Sequence, residues 1–145
     1  MFIKNLPIFP CMPERMRDII IIGGGISAHT AAVYAARASL RPLVISGAGL
    51  DQLSLTTVVE NYPGFPEGIM GPDLIQNCKK QAQKFGAEYI EENADSLKKI
   101  KGVFEVGVGK KKYQSRTIII STGASARKLG IPGEDKYFGK GVSTC

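Results

Sequence analysis

The sequence predicts an α/β protein built around a parallel sheet, and three features lead to that prediction. An apolar strand at residues 19–22 (IIII) runs into three glycines and then into an alanine-rich stretch with helical periodicity. A second apolar strand follows at 43–45, after Arg41-Pro42 ends the helix. A third, at 116–121 (RTIIIS), again ends in a glycine turn. Wholly apolar strands joined through a helix are typical of a parallel sheet covered on both faces.

The glycines at residues 23–25 have the spacing of a phosphate-binding turn. The pattern reads G-x-G-x-x-A, with Gly23, Gly25 and Ala28 at its three small positions. Gly23 permits a turn with positive φ, and Gly25 leaves room for a pyrophosphate beside the backbone. Ala28 lets the helix pack close to the strand, and the N–H groups at the helix start face the phosphate. The pattern predicts the dinucleotide-binding unit of a Rossmann-like fold; the alternative is a tight strand-to-helix turn of another α/β protein.

The residue after the second strand leaves the identity of the dinucleotide open. Many such folds have an acidic side chain there, which binds a ribose hydroxyl. This chain has Ser46 and then Gly47, and its next acidic residue is Asp51. Either the neutral hydroxyl of Ser46 and backbone groups hold the ribose, or this contact is weaker. The glycine motif alone does not separate NAD, NADP and FAD.

The segment from residue 47 to residue 90 predicts a long loop, a helix and a third strand. The loop at 47–71 is rich in aromatics and prolines, which is typical of an ordered, functional loop. A helix is expected over 73–85, because Pro72 fits its first turn and Gly86 its carboxyl end. The third strand is predicted at 88–90. The expected buried face of the helix consists of Leu74, Cys78, Ala82 and Phe85.

A small antiparallel β-meander precedes the last strand. Its three strands are predicted at 95–100, 102–108 and 111–115, before the buried strand at 116–121. That last strand ends at Thr122 and Gly123, so a second glycine turn is expected at the carboxyl edge of the sheet, where ligands of open α/β sheets bind. One elongated ligand across both glycine turns is expected in this three-layer, FAD/NAD(P)-binding fold.

Composition and charge favour a globular protein without nucleic-acid or membrane partners. The chain has 145 residues and a net charge of +6, which comes mainly from lysines at 98–101 and 110–112. These lysines flank a predicted hairpin strand, where they protect sheet edges, and no aromatics interleave them as in nucleic-acid-binding proteins. No apolar run approaches the ~20 residues of a membrane span. Residues 1–17 are interrupted by prolines and predict a flexible leader without a signal peptide, hence a cytoplasmic protein.

The three cysteines predict neither a disulfide framework nor a metal site. Cys11, Cys78 and Cys145 are odd in number and far apart. This usage fits a reducing compartment. Cys78, on the predicted helix, is expected to be an ordinary packed or half-exposed thiol.

Four segments together resemble the amino-terminal part of low-molecular-weight thioredoxin reductases, which are NADPH-dependent flavoenzymes. They are IIGGGISAHTAAVYAARA, DQLSLTTVVENYPGFPEGIMGP, ISTGASARKLGIPGE and GKGVSTC, in this order. The glycine turn alone fits many flavoproteins, whereas residues 60–64 (ENYPG) narrow the resemblance to this family and its close relatives. Two alternatives stay open: a ferredoxin/NADPH flavoprotein relative, which lacks the redox cysteine, and a non-catalytic FAD- or nucleotide-binding module.

The resemblance implies an FAD site and a redox-active cysteine. In the family, NADPH reduces FAD, FAD reduces a Cys-x-x-Cys disulfide, and the dithiol reduces thioredoxin or a similar disulfide protein. The full-length enzymes are usually homodimers. Cys145 would be the first cysteine of that pair, and Ser46 is the candidate for the FAD ribose. The other residues implied for FAD are Gly23, Gly25, Ile26, Ser27, Ala28, Gln52, Leu53, Asn61, Thr122 and Gly123.

The chain also departs from the family pattern. Leu50-Asp51 stands where the family usually has Gly-Gly before Gln-Leu, and Val58 stands where an acidic residue is common. The sequence ends at Cys145, before the family's second cysteine, its NADPH-binding domain and the carboxyl-terminal FAD segment. Residues 18–145 are therefore expected to form the amino-terminal part of an FAD-binding domain in a truncated chain that does not turn over NADPH by itself.

Overall fold

The computed structural model of the chain describes residues 16–125 and 127–143. In chain order its elements are β1 (Arg17–Ile22), α1 (Ile26–Arg37), β2 (Leu43–Ile45), β3 (Val58–Val59), β4 (Ile69–Met70), α2 (Gly71–Lys84), β5 (Glu88–Ile90), β6 (Ser96–Ile100), β7 (Val103–Val108), β8 (Lys111–Ile120) and α3 (Glu134–Tyr137). The predicted leader falls mainly outside the described residues, as do Cys11 and Cys145. The division into a leader and a domain that starts at residue 18 therefore stays a prediction.

A mixed sheet organises the fold, with strand order β5-β2-β1-β8-β7-β6. The strands β5, β2, β1 and β8 are parallel, whereas β7 and β6 form an antiparallel meander at one side. The predicted Rossmann-like α/β fold, with a parallel sheet and a small meander, is confirmed. Among the described residues, no helix is both long and apolar enough to cross a membrane.

The meander and the last parallel strand share one continuous strand, which the sequence analysis had divided in two. Ser115 of β8 pairs with Phe104 of β7 and also with Arg17 of β1. Its buried hydroxyl donates a hydrogen bond to the Thr117 carbonyl at 2.8 Å. Side chains of β8 alternate between buried and exposed up to Ser115, whereas the strand ends in three consecutive apolar residues at 118–120. This change of pattern marks a change of partner strand and not a break in β8.

Two apolar cores lie on the two faces of the sheet and give the three layers. On one face, Ile19 and Ile21 of β1 pack against the alanines of α1, including Ala32. On the other face, Ile20 packs with Val106 and other residues of β7 and β8. The meander therefore covers the face of the parallel strands opposite the helices. It is connected to those strands through β8, which pairs with both β1 and β7.

Three predicted details were wrong: the bounds of the second helix, the burial of the last strand and the irregularity of the long loop. The second helix begins at Gly71 and ends at Lys84, so Phe85 lies beyond it and is 42% exposed, with Arg37 stacked 5.8 Å from its ring centroid. The last strand is open at its carboxyl end, where Ile120 is 62% exposed. The long loop is also not wholly irregular, because β3 and β4 form a short antiparallel pair within it.

Candidate functional site

The carboxyl ends of the parallel strands form one edge of the sheet. Ile22 of β1 is in register with Ile45 of β2 and with Ile120 of β8. Three hydrogen bonds extend this ladder past the strands: Gly23 N–H to the Ile45 carbonyl (2.9 Å), Ser46 N–H to the Ile90 carbonyl (2.9 Å), and Ser121 N–H to the Ile22 carbonyl (2.7 Å). Predicted site residues that are far apart in the chain, Gly23, Ser46 and Thr122, therefore follow strands that end at the same edge.

The glycine turn, defined as residues 23–28, requires glycine at its first two positions because of close backbone contacts. Gly23 has a φ of 137°, as the predicted turn requires, and a Cβ there would lie 2.1 Å from the Ser121 carbonyl oxygen. A Cβ on Gly24 would lie 2.5 Å from the Ser46 carbonyl oxygen. The sequence analysis gave Gly24 no role, although its place between two motif glycines was the available signal. The start of the turn therefore packs directly against the residues that follow β2 and β8.

Gly25 differs from the two glycines before it, because a Cβ there would meet no atom of the described residues within 4 Å. It is the N-cap of α1, in extended backbone conformation, and the first turn of that helix contains no acidic residue. The first helical bond runs from the His29 N–H to the Gly25 carbonyl at 3.1 Å. The N–H groups of the preceding residues, including Ser27, have no acceptor inside the helix and carry the positive end of its dipole. This arrangement suits an anion.

A cleft of about 510 Å³ lies in the long loop, defined here as residues 47–70. The predicted residues Gln52, Leu53 and Asn61 all line it. Val58, which departs from the family pattern, lines the same cleft and is 51% exposed. The other lining residues are Thr56, Val59 and Glu60.

Asp51 holds the turn that leads into this cleft. Its Oδ1 accepts hydrogen bonds from the N–H groups of Leu53 (2.9 Å) and Ser54 (3.1 Å), and its Oδ2 accepts one from the Ser54 hydroxyl (2.6 Å). From sequence, Asp51 stands out as the next acidic residue after Ser46 and as a departure from the family pattern, but not as a residue that holds a turn. An aspartate often accepts hydrogen bonds from the N–H groups two and three residues after it, and this known turn signal could have indicated the role of Asp51.

Tyr62 connects the same loop to α2. Its hydroxyl hydrogen-bonds with the Cys78 thiol, which lowers the pKa of that thiol, but burial has the larger effect and raises it. Cys78 is therefore a protonated, half-buried thiol at neutral pH, as its predicted role of an ordinary packed cysteine requires.

The remaining predicted residues lie at the margin of the site. Thr122 and Gly123 follow β8 and are exposed, and Gly123 has a φ of 67°. Cys145 lies outside the described residues. Within residues 16–125 and 127–143, no cluster of three or more His, Cys, Asp or Glu side chains could hold a metal ion.

Known proteins share both the sequence and the fold. The family model described as pyridine nucleotide-disulphide oxidoreductase matches residues 17–145. The chain is 47% identical over 133 residues to a thioredoxin reductase of Mycolicibacterium smegmatis, covering 91% of this chain and 43% of that protein. It is 43% identical over 137 residues to the NADPH-dependent thioredoxin reductase 3 of Arabidopsis thaliana, covering 91% of this chain and 26% of that protein.

A solved structure extends this similarity to the fold. The thioredoxin reductase from Streptococcus pyogenes superposes with a TM-score of 0.79 at 36% identity, over 92% of this chain and 44% of that one. The chain thus spans less than half the length of these relatives, and the predicted resemblance to thioredoxin reductases is confirmed. From the match over residues 17–145, the chain belongs to the pyridine nucleotide-disulphide oxidoreductase family.

Proposed function

We propose that this chain is the FAD-binding portion of a thioredoxin-disulfide reductase. In such a protein, electrons pass from NADPH through FAD to a cysteine pair and then to thioredoxin or a similar disulfide protein. The observation that carries the proposal is Gly25, an N-cap with open space beside it, at the edge where three parallel strands end. The two glycines before it, Gly23 and Gly24, are crowded by backbone, so the turn is tight where it meets the sheet and open where a ligand would approach.

The glycine turn suits the pyrophosphate of FAD. The backbone at Gly25, Ile26, Ser27 and Ala28 would hold its oxygens through N–H groups that lack helical acceptors. Ala28 is fully buried, so α1 packs close to β1 and its first turn is held at the sheet edge. No acidic side chain of that turn opposes the phosphate charge.

Ser46 would bind the ribose of FAD through a neutral hydroxyl and not through a carboxylate. Its hydroxyl lies 3.3 Å from the Ile90 carbonyl, to which it donates, and its lone pairs are left to accept a hydrogen bond from a ribose hydroxyl. The next turn is held by Asn93, whose Oδ1 accepts from the Ala48 N–H at 3.1 Å. A neutral side chain therefore takes the place of the acidic residue of many dinucleotide sites.

The cleft in the long loop and the turn after β8 would contact the rest of the cofactor. Gln52, Leu53 and Asn61 would line the flavin site, and Thr122 and Gly123 would close over the cofactor. When bound, FAD supplies two-electron transfer between NADPH and a disulfide, a reaction for which protein side chains are unsuited. The chain itself supplies binding and orientation.

Cys145 is proposed as the first cysteine of the redox pair. The thiolate form of such a cysteine is the nucleophile in exchange with a partner disulfide. The NADPH-binding domain and the second cysteine correspond to parts of the relatives that this chain does not span. We also propose a cytoplasmic location, which fits the odd number and wide spacing of the cysteines in the sequence, and a homodimer for the full-length protein.

A titration with FAD, followed by flavin fluorescence, tests the proposal directly. The Gly25→Val variant should bind FAD at least about tenfold more weakly, because the side chain fills the approach path of the pyrophosphate. Its stability should fall by no more than about 1 kcal/mol, the size of an N-cap change. The matched control is Ala38→Val, at the exposed other end of α1. Undiminished binding by Gly25→Val would reject the glycine turn as the pyrophosphate site.

A second function, that of a non-catalytic FAD-binding module, is favoured by exposed apolar residues after β8. Leu129 is 80% exposed and Ile131 is 57% exposed, which suits docking of a further protein segment. An assay of NADPH-dependent thioredoxin reduction separates the two functions: FAD binding without turnover favours the module. Cys145→Ser should leave FAD binding intact and remove thiol chemistry in a reductase, whereas a ferredoxin/NADPH relative would be unaffected.

A further inference from the structure

A buried polar pair stands behind the glycine turn. His29, the single histidine of the chain, lies in the first turn of α1 and is only 2% exposed. Its Nδ1 lies 3.0 Å from the hydroxyl of Tyr89 on β5, and the two rings pack with centroids 5.6 Å apart. The backbone of Gly24 also hydrogen-bonds with the imidazole. The bond from His29 to the Gly25 carbonyl, at 3.1 Å, is made by the main-chain N–H and belongs to the helix. The His29 imidazole thus connects Gly24 of the glycine turn to β5.

Packing alone does not account for a histidine at this position. The other buried residues of α1 are alanines and one valine, Val33. An apolar side chain of similar size would fill the same space without the cost of removing a polar ring from water. What the imidazole adds is hydrogen bonding to groups that hold the turn.

Tyr89 is well placed to keep this bond at neutral pH. Burial raises the pKa of its phenol to about 12, so the hydroxyl keeps its proton. Lys79 of α2 lies with its Nζ 5.3 Å from the Tyr89 ring centroid and forms an ion pair with Glu91. The ring is therefore restrained from its outer side as well, while its hydroxyl faces His29.

We propose that His29 is a positioning residue for the FAD site: held by Tyr89, its neutral imidazole fixes the backbone of Gly24, and so the start of α1, whose N–H groups are proposed to meet the pyrophosphate. This inference rests on the proposed function. His29 acts through the turn and needs no contact with the cofactor.

The arrangement also predicts a direction of pH dependence. Burial is the main cause that lowers the pKa of His29; nearby Lys79 lowers it further, whereas the Asp51 carboxylate and the Gly24 backbone raise it. Tyr89, the other titratable group in contact with the ring, stays neutral. Because the folded-state pKa lies below the ordinary 6.5, the unfolded chain binds more protons in this range. The stabilisation is therefore complete above about pH 7 and is lost as the pH falls through the folded-state pKa.

The test measures FAD affinity of the full-length protein from about pH 8 to about pH 5, across the range where histidine titrates. The variants are Tyr89→Phe, which keeps the ring and removes the hydroxyl, and His29→Leu. Tyr34→Phe is the matched control, because Tyr34 is on the same helix and is 69% exposed. Circular dichroism shows whether each variant is folded. NMR of the single imidazole reports its pKa and its hydrogen bonding without reference to activity.

At about pH 8, Tyr89→Phe and His29→Leu should each weaken FAD binding roughly fivefold, the size of one lost hydrogen bond. The unsubstituted protein should lose affinity at low pH, and His29→Leu should flatten that profile. The imidazole signals should shift in Tyr89→Phe but not in Tyr34→Phe; if His29→Leu does not fold, these signals and the affinity of Tyr89→Phe decide the matter. Unchanged affinities and pH profile in folded variants would overturn the role of His29 and leave the FAD proposal standing. Failure of the unsubstituted protein to bind FAD would overturn both.

Discussion

The glycine turn and the long loop begin at the same edge of the sheet, yet they are held in different ways. In the glycine turn, main chain meets main chain: Gly23 lies against Ser121 and Gly24 against Ser46, with no space for a side chain. In the long loop, side chains such as Asp51 hold the backbone, and an open cleft remains. Gly23 and Gly24 therefore tolerate almost no substitution, whereas loop positions with open space around them, such as Gly49, can vary.

The largest effect on stability is expected from Gly23→Ala. Its new Cβ would lie 2.1 Å from the Ser121 carbonyl oxygen, at a φ of 137° that an alanine rarely adopts. The contact atom belongs to the backbone of the sheet edge and has little freedom to move. We expect a loss of about 2 to 4 kcal/mol in the free energy of unfolding, measured by urea denaturation.

The matched control for this change lies in the long loop. Gly49→Ala places a Cβ where, among the described residues, no atom lies within 4 Å. Its stability should stay within about 0.5 kcal/mol of the unsubstituted protein. If Gly49→Ala cost as much as Gly23→Ala, the long loop would be as tightly constrained as the turn, and the contrast between the two regions would be wrong.

Asp51→Ala is expected to have an intermediate effect that is confined to the long loop. It removes three hydrogen bonds from the turn that leads into the cleft. Loss of a side-chain cap of this kind costs about 0.5 to 2 kcal/mol. Hydrogen exchange should become faster at residues 53–56, and FAD affinity should fall, since Gln52 and Leu53 lose their support.

Glu67→Ala provides the comparison, because it removes an exposed carboxylate elsewhere in the same loop. It should change neither the exchange rates at 53–56 nor FAD affinity. If Asp51→Ala also left both unchanged, the cleft would be held by contacts other than this cap.

The same contrast explains which parts of the molecule could be predicted from sequence. The glycine turn follows from a local pattern, since its strand, its glycines and its alanine-rich helix are adjacent in the chain. The pairing of His29 with Tyr89 joins residues 60 positions apart, and no local pattern indicates it. The one local indication is that His29 is a polar residue among the otherwise apolar buried residues of α1.

Errors about single elements have similar physical causes. The sequence does not reveal the continuity of β8, because its two halves pair with different strands and therefore have different hydrophobic patterns. Phe85 is predicted on the buried face of the helix, but α2 ends one residue earlier, at Lys84, and the guanidinium of exposed Arg37 lies over the Phe85 ring. Helix periodicity gives the direction of a face; it does not give the residue at which the helix ends.

The smallest effect is expected at the opposite edge of the sheet, where β1 and β5 begin. Arg17 and Glu88 form a two-fold contact there, with Nη1 to Oε1 at 2.6 Å and Nη2 to Oε2 at 2.7 Å, and the Glu88 side chain is 58% exposed. Glu88→Gln should lower stability by only about 0.2 to 1 kcal/mol at neutral pH, as is usual for exposed ion pairs. Urea denaturation measures this difference.

The pH dependence of that difference has a definite sign. The hydrogen bonds from Arg17 are the main cause that holds the pKa of Glu88 below its ordinary 4.5. The contribution is therefore complete above that value and is lost as the pH falls through the folded-state pKa, so the variant and the unsubstituted protein should converge in acid. FAD affinity should not change, because this pair holds the amino ends of the strands while the glycine turn and the long loop depend on contacts at their carboxyl ends. If Glu88→Gln did weaken FAD binding, strain would be transmitted along the whole length of β1 and β5. The rigidity of the glycine turn would then be a property of the sheet and not of its own backbone contacts.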